Sequence, residues 1–125
     1  MSKKGKAMEK TEPDCIFCRI VRREIPCDIV YEDDKVLAFN DIEPKAPVHI
    51  LIIPKDHISG VLELDEHHKE LMGHILTVAS NLAGEKEIDE SGFRVVVNSG
   101  PDAGQAVFHI HFHLLGGRSL AWPPG

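Results

Sequence analysis

The sequence has no apolar run that could cross a membrane; the longest, such as "HILIIP" at 49–54, fall well short of the roughly 18 residues a spanning segment needs. Its first residues carry lysines but no apolar stretch behind them, so the pattern of a secretory signal is missing. The cytoplasm, with the nucleus beside it, is the default location, and no membrane partner is expected. Positive charge is also in deficit, because 14 Lys and Arg against 20 Asp and Glu leave a formal net charge of −6. That balance excludes a protein that tracks a nucleic-acid backbone, but it leaves room for a small anion in a local pocket. Cysteine is scarce: Cys15, Cys18 and Cys27 are too few, and too odd in number, for a secreted disulfide framework.

What remains suits one globular domain. The 125 residues, 42% hydrophobic and 27% charged, match the commonest domain size and an ordinary soluble composition. Residues 1–13 are polar, lysine-rich and aperiodic, and read as a disordered leader before a single domain over 14–125. In "CIFCRIVRREIP" the apolar Ile16, Phe17, Ile20 and Val21 fall at helical spacing, giving a short helix stopped by Pro26. "DIVYEDDKVLAFND" is two β-prone runs about Asp33 and Asp34, hence a hairpin, and "VHILIIPK" is a strand apolar on both faces, hence central. Apolar Leu71, Met72, Ile75, Leu76, Ala79 and Leu82 define one long helix, with Asp65 as N-cap and Gly84 near its stop. "FRVVVNSG" and "VFHIHFHLLGG" supply a fourth and fifth strand about the loop "PDAGQA". The order predicts an α+β fold, with a five-stranded antiparallel sheet, one long and one short helix, and the long helix on one face.

Three of the eight histidines sit at alternate positions of "FHIHFHLLGG", which in an extended strand puts His109, His111 and His113 on one face. Packing does not ask for three imidazoles, whose burial carries desolvation and hydrogen-bonding costs. Two uses remain, metal ligation or acid–base and nucleophilic work near neutral pH. His67, His68 and His74, on the long helix, read as surface or structural residues.

The run His109-Ile110-His111-Phe112-His113-Leu114-Leu115 resembles the H-φ-H-φ-H-φ-φ signature, φ being apolar, of the histidine triad (HIT) nucleotide hydrolases and transferases. "FNDIEPKAPVHILIIPKDHI", "VVVNSGPDAGQ" and "WPPG" are similar to the Hint branch, the adenosine 5′-phosphoramidases, also known as protein kinase C inhibitor-like proteins. The resemblance implies a HIT-like fold and a purine nucleotide of AMP or GMP type as substrate or product. It makes His111 the nucleophile that attacks the α-phosphorus and forms a nucleotidyl-histidine, and sets His113 against the phosphate oxygens. It assigns the ribose hydroxyls to Asp41, the base to Phe17, Ile20, Phe39 and Ile42, and the phosphate side to Asn98. Further nucleotide contacts fall to Gly104, Gln105 and Val107, where glycines let backbone N–H groups approach a phosphate, and to Trp122. In the Hint branch two protomers join their sheets and the C-terminal tail reaches the partner's site, which implies a homodimer. One departure is Ala106, where that branch usually carries a serine that contacts the leaving group.

The pair Cys15 and Cys18 is a second departure, shared with bacterial triad proteins and with galactose-1-phosphate uridylyltransferases. One C-x-x-C needs two more ligands for a closed tetrahedral zinc. In those relatives the matching positions are His49 and His109, so the resemblance implies a structural Zn2+ on Cys15, Cys18, His49 and His109. The sequence thus points to a hydrolase of purine nucleoside phosphoramidates or related adenylates. The rival is a nucleotide- or zinc-binding regulatory module with little turnover.

Overall fold

The computed structural model describes residues 11–125; residues 1–10, most of the expected leader, lie outside the described residues. Five strands form one antiparallel sheet: β1 (Ile29–Glu32), β2 (Val36–Asn40), β3 (Val48–Pro54), β4 (Phe93–Val97) and β5 (Phe112–Gly116), in the order β1-β2-β3-β5-β4. The expected hairpin is β1 and β2. Asp33 makes its turn, donating from its backbone N–H to the Val36 carbonyl while its Oδ1 accepts from the N–H groups of Lys35 and Val36. β3 pairs with both β2 and β5, and Ile50, Leu51, Ile52 and Ile53 are all buried, as a two-faced apolar run requires.

Alternation sorts the sheet into two faces. Val36, Ala38, Ile50, Ile52, Phe112 and Leu114 point to the long helix α2 (Lys69–Glu85), where Ile75, Val78, Ala79, Leu82 and Ala83 complete the larger core. Leu37, Phe39, Leu51 and Ile53 point the other way and meet Phe17 and Ile20 of the short helix α1 (Ile16–Val21). Gly116 is set by close approach, since a Cβ there would lie 2.6 Å from Ile88 Cδ1. Among the described residues no helix is long and apolar enough to cross a membrane.

Four boundaries differ from the sequence reading, the first being β4, which ends at Val97 rather than running through "NSG" to Gly100. The chain leaves α1 at Arg23, whose φ of 66° is left-handed and whose N–H returns to the Ile20 carbonyl, so the helix ends before Pro26 is reached. Asp65 caps a 3₁₀ turn, Glu66–His68, and α2 follows at Lys69; Leu76 of the expected apolar stripe is 51% exposed. The fifth strand pairs only over Phe112–Gly116. His109 and His111 precede it, in a segment whose Ile110 N–H donates to the Ile58 carbonyl at 2.6 Å.

Candidate functional site

The triad histidines occupy three different surroundings. His111 is buried, with its ring edge-on to Phe17 at 5.1 Å and its Nδ1 2.8 Å from the His109 carbonyl oxygen. A carbonyl only accepts, so Nδ1 carries the proton and Nε2 keeps its lone pair. His113, on β5 opposite Leu51 and Val96, is half-buried, and its Nδ1 lies 2.9 Å from His49 Nε2. Burial, then the neighbouring His111 and His49, push its pKa down to about 4, so the ring is neutral at pH 7. His49 is buried on β3, and burial likewise lowers its pKa. Its Nδ1 is 3.0 Å from the Lys45 backbone N, and its Nε2 is 3.3 Å from Asp41 Oδ2.

His49 and His113 line a cavity of about 1140 Å³ together with Asp41, Arg94, Asn98 and Trp122, whereas His111 lies outside that lining, 5.1 Å from His113 between ring centres. Asp41, expected at the ribose, accepts from the Glu43 N–H through Oδ1 and faces His49 with Oδ2. Of the apolar residues expected around the base, Phe17, Ile20 and Phe39 are core residues of the α1 face, with Val107 packed against them. Ile42 is 92% exposed. Trp122 is 80% exposed, with the Arg94 guanidinium 6.0 Å from its ring, and Arg94 also donates to the Ala121 carbonyl. In the loop, Gly104 takes a φ of +80° that only glycine adopts without strain. The Gln105 side chain is committed to the protein's own backbone: it accepts from Gly100 N–H and donates to the carbonyls of Ser59 and Val107. Its part in a site is therefore to shape the loop.

His109 is not among the residues lining this cavity and belongs to a second cluster. Cys15, Cys18, His57 and His109 each bring one ligand atom to within 4.8 Å of the others. His109 Nδ1 lies 3.4 Å from Cys15 Sγ and 3.6 Å from Cys18 Sγ, and His57 Nδ1 lies 3.4 Å from Cys18 Sγ. Tetrahedral zinc with ordinary Zn–S and Zn–N bonds separates sulfur from nitrogen by about 3.6 Å, so this donor set fits the ion. His109 Nε2 donates to the Pro54 carbonyl at 2.8 Å, which leaves Nδ1 for a metal. Burial raises the Cys18 thiol to about 11 and lowers His109 to about 4.

The fourth donor of this cluster corrects the expected ligand set, because His57 stands where His49 was expected. Antiparallel pairing explains why. His49 pairs with Leu115 at the far end of β5, whereas Ile52 pairs with Phe112, so continuing the register brings His109 beside the segment after Pro54. His57 is in that segment, in the stretch "KDHI", and sequence reasoning passed over it.

Comparison with known proteins adds a family. The HIT domain model matches residues 22–120. A 14 kDa zinc-binding protein of Brassica juncea is 52% identical over 114 residues, covering 90% of this chain and all (100%) of the relative. The adenylylsulfatase HINT1 of Arabidopsis thaliana is 48% identical over 128 residues, covering 99% of this chain and 86% of the relative. Among solved structures, a HIT family hydrolase from Legionella pneumophila Philadelphia 1 superposes with a TM-score of 0.89 at 48% identity, covering 90% of this chain and 100% of that one.

Proposed function

The chain belongs to the HIT domain family, and on that premise we propose that it hydrolyses purine nucleoside phosphoramidates or related adenylates through a nucleotidyl-histidine. The observation that carries this reading is the His111 tautomer: Nδ1–H is held by the His109 carbonyl, leaving Nε2 as a neutral nucleophile. Nε2 attacks the α-phosphorus, and the bond to the leaving group breaks as the phosphorus–nitrogen bond forms. Water then displaces the imidazole, yielding the nucleoside monophosphate and restoring neutral His111. His113 meets the phosphate oxygens, Ile42 covers the base, and Asp41 and Asn98 bind the sugar and phosphate sides.

The leaving group is the open part of the substrate. Ala106 has no hydroxyl to protonate a departing amine, which favours groups that leave as stable anions. An adenylyl sulfate fits that requirement, and a relative bearing the name adenylylsulfatase supports testing it. We also infer a structural zinc on Cys15, Cys18, His57 and His109, which would clamp α1 to the segment before β5 and so hold the carbonyl that orients His111. A homodimer completes the reading.

Turnover of an adenosine phosphoramidate and of adenylyl sulfate by wild type and His111→Ala tests the mechanism. The variant should lose at least about 10⁴-fold in kcat, as loss of a covalent nucleophile does, while keeping its fold and its affinity for AMP. A near-wild-type rate in protein free of contaminating hydrolase would overturn it.

A further inference from the structure

We propose that His49 is a positioning residue that fixes His113 in the tautomer opposite to that of His111, so that His113 presents an Nε2–H donor to the substrate. The proposal rests on the reading of His113 as the phosphate-contacting residue. It follows from a chain of hydrogen bonds that begins on the backbone.

The Lys45 amide is a fixed donor 3.0 Å from His49 Nδ1, so that nitrogen must accept and the single ring proton of His49 sits on Nε2. His49 Nε2–H then lies 2.9 Å from His113 Nδ1, with Asp41 Oδ2 at 3.3 Å as a second acceptor holding the proton in place. Two N–H groups cannot face each other at 2.9 Å, so His113 Nδ1 accepts and its proton is on Nε2. A doubly protonated ring at either position would set donor against donor, at Lys45 or across the His49–His113 contact. His49, the middle member of the chain, is buried, its side chain only 4% exposed.

The consequence is a division of labour that alternation alone does not give. Two residues apart, His111 has Nδ1–H and a free Nε2 lone pair, whereas His113 has an Nδ1 acceptor and an Nε2–H. One ring is built to attack and the next to donate. A donor set in advance stabilises charge growing on the phosphate oxygens in the transition state. The expected effect of losing His49 therefore falls on kcat, with little change in ground-state affinity.

Long-range ¹H–¹⁵N correlation on the uniformly ¹⁵N-labelled full chain at neutral pH reads each tautomer directly. The expected result is Nε2–H for His49 and His113 and Nδ1–H for His111; His113 found as the Nδ1–H tautomer overturns the proposal. Two variants extend the test. His49→Leu removes the donor and should lower kcat about 10- to 100-fold, with KM and AMP affinity within a few-fold. His49→Gln returns an amide N–H near the Nε2 position and should recover most of that loss. A folded His49→Leu with wild-type kcat, or no recovery in a folded His49→Gln, also overturns it. Should either variant fail to fold, the wild-type tautomers decide alone. They need no turnover, so they separate failure of this inference from failure of the proposed hydrolysis, which His111→Ala tests.

Discussion

At the scale of single residues, Ala106 is the position where the proposed chemistry is most open to measurement. A hydroxyl there would donate to the departing atom, and such help counts most where the leaving group is poor. Ala106→Ser should therefore raise kcat on nucleoside phosphoramidates of basic amines by about 10-fold or more, within the usual reach of acid catalysis, and change adenylyl sulfate hydrolysis little. Equal rates for both proteins across a leaving-group series would remove position 106 from the proton path. His111, proposed as the nucleophile, its neighbour His113 and the cysteine pair all stand out in the sequence, because period-two histidines and C-x-x-C are local patterns. His57 does not, since its place in the cluster depends on the β3–β5 register rather than on any spacing near Cys15. The tautomers were out of reach as well. They are set by the Lys45 amide and the His109 carbonyl, and no side-chain pattern encodes backbone direction.

At the scale of elements, the sheet was readable to within a residue at β1 to β3, where alternation or continuous burial marks each strand, while β4 stops at Val97, three residues short of the end of "FRVVVNSG". The fifth strand was read too long, because the apolar and histidine alternation runs on through 107–111 while regular pairing stops at Phe112. What places those unpaired residues is tertiary: Pro54, Ile58 and the cysteine cluster hold them. That cluster ties three elements together, so metal content should report its ligands. Protein purified without chelator should carry one zinc per chain, and His57→Ala should lose most of it while His49→Gln keeps it. The opposite order in elemental analysis would restore His49 as the ligand. Chelation should lower the melting temperature, since a metal bound only by the folded chain stabilises it. A second tie joins α2 to the hairpin. His74 Nε2 lies 2.6 Å from Asp33 Oδ2, which also accepts from the Tyr31 hydroxyl at 2.7 Å. Burial alone would raise Asp33, but these bonds and the Lys35 and Val36 N–H groups outweigh it and hold its pKa down to about 2. The sign follows from linkage: the folded pKa lies below the unfolded one, so the stabilisation is present above about pH 4 and lost as pH falls towards about 2. Asp33→Asn should flatten the stability profile across that window by up to about 2 kcal/mol, read by urea unfolding at each pH. An unchanged profile would mean that other carboxylates dominate acid unfolding.

At the scale of the whole molecule, the two edges of the sheet are unlike. The β1 edge is four residues long and irregular, with a break in register between Ile29 and Tyr31, and Glu32 is paired with Lys55 and Arg23. Short, bulged and charged strands resist further pairing. β4 is less protected: Phe93–Val97 runs in regular register with β5, holds a single charged residue, Arg94, and leaves Phe93 40% exposed. Beside it the cavity is lined by Val96, His113 and the C-terminal tail, whose Trp122 ring lies 6.0 Å from the Arg94 guanidinium yet remains largely exposed. A rigid, mostly apolar side chain presented next to a less protected edge is suited to meet a second copy of the chain, and two-fold pairing is the commonest closed arrangement. The protein should therefore sediment as a homodimer at micromolar concentration, with β4 of one protomer against β4 of its partner. Val96→Lys should shift the population towards monomer, because it sets like charges near one another across a two-fold axis. Deletion of residues 120–125 should leave the dimer standing but change the ratio of kcat/KM between adenylyl sulfate and a bulky phosphoramidate, since the tail borders the cavity where the leaving group would sit. A wild-type monomer in sedimentation would remove the dimer. An unchanged substrate ratio after the deletion would confine Trp122 to packing on Arg94 of its own chain.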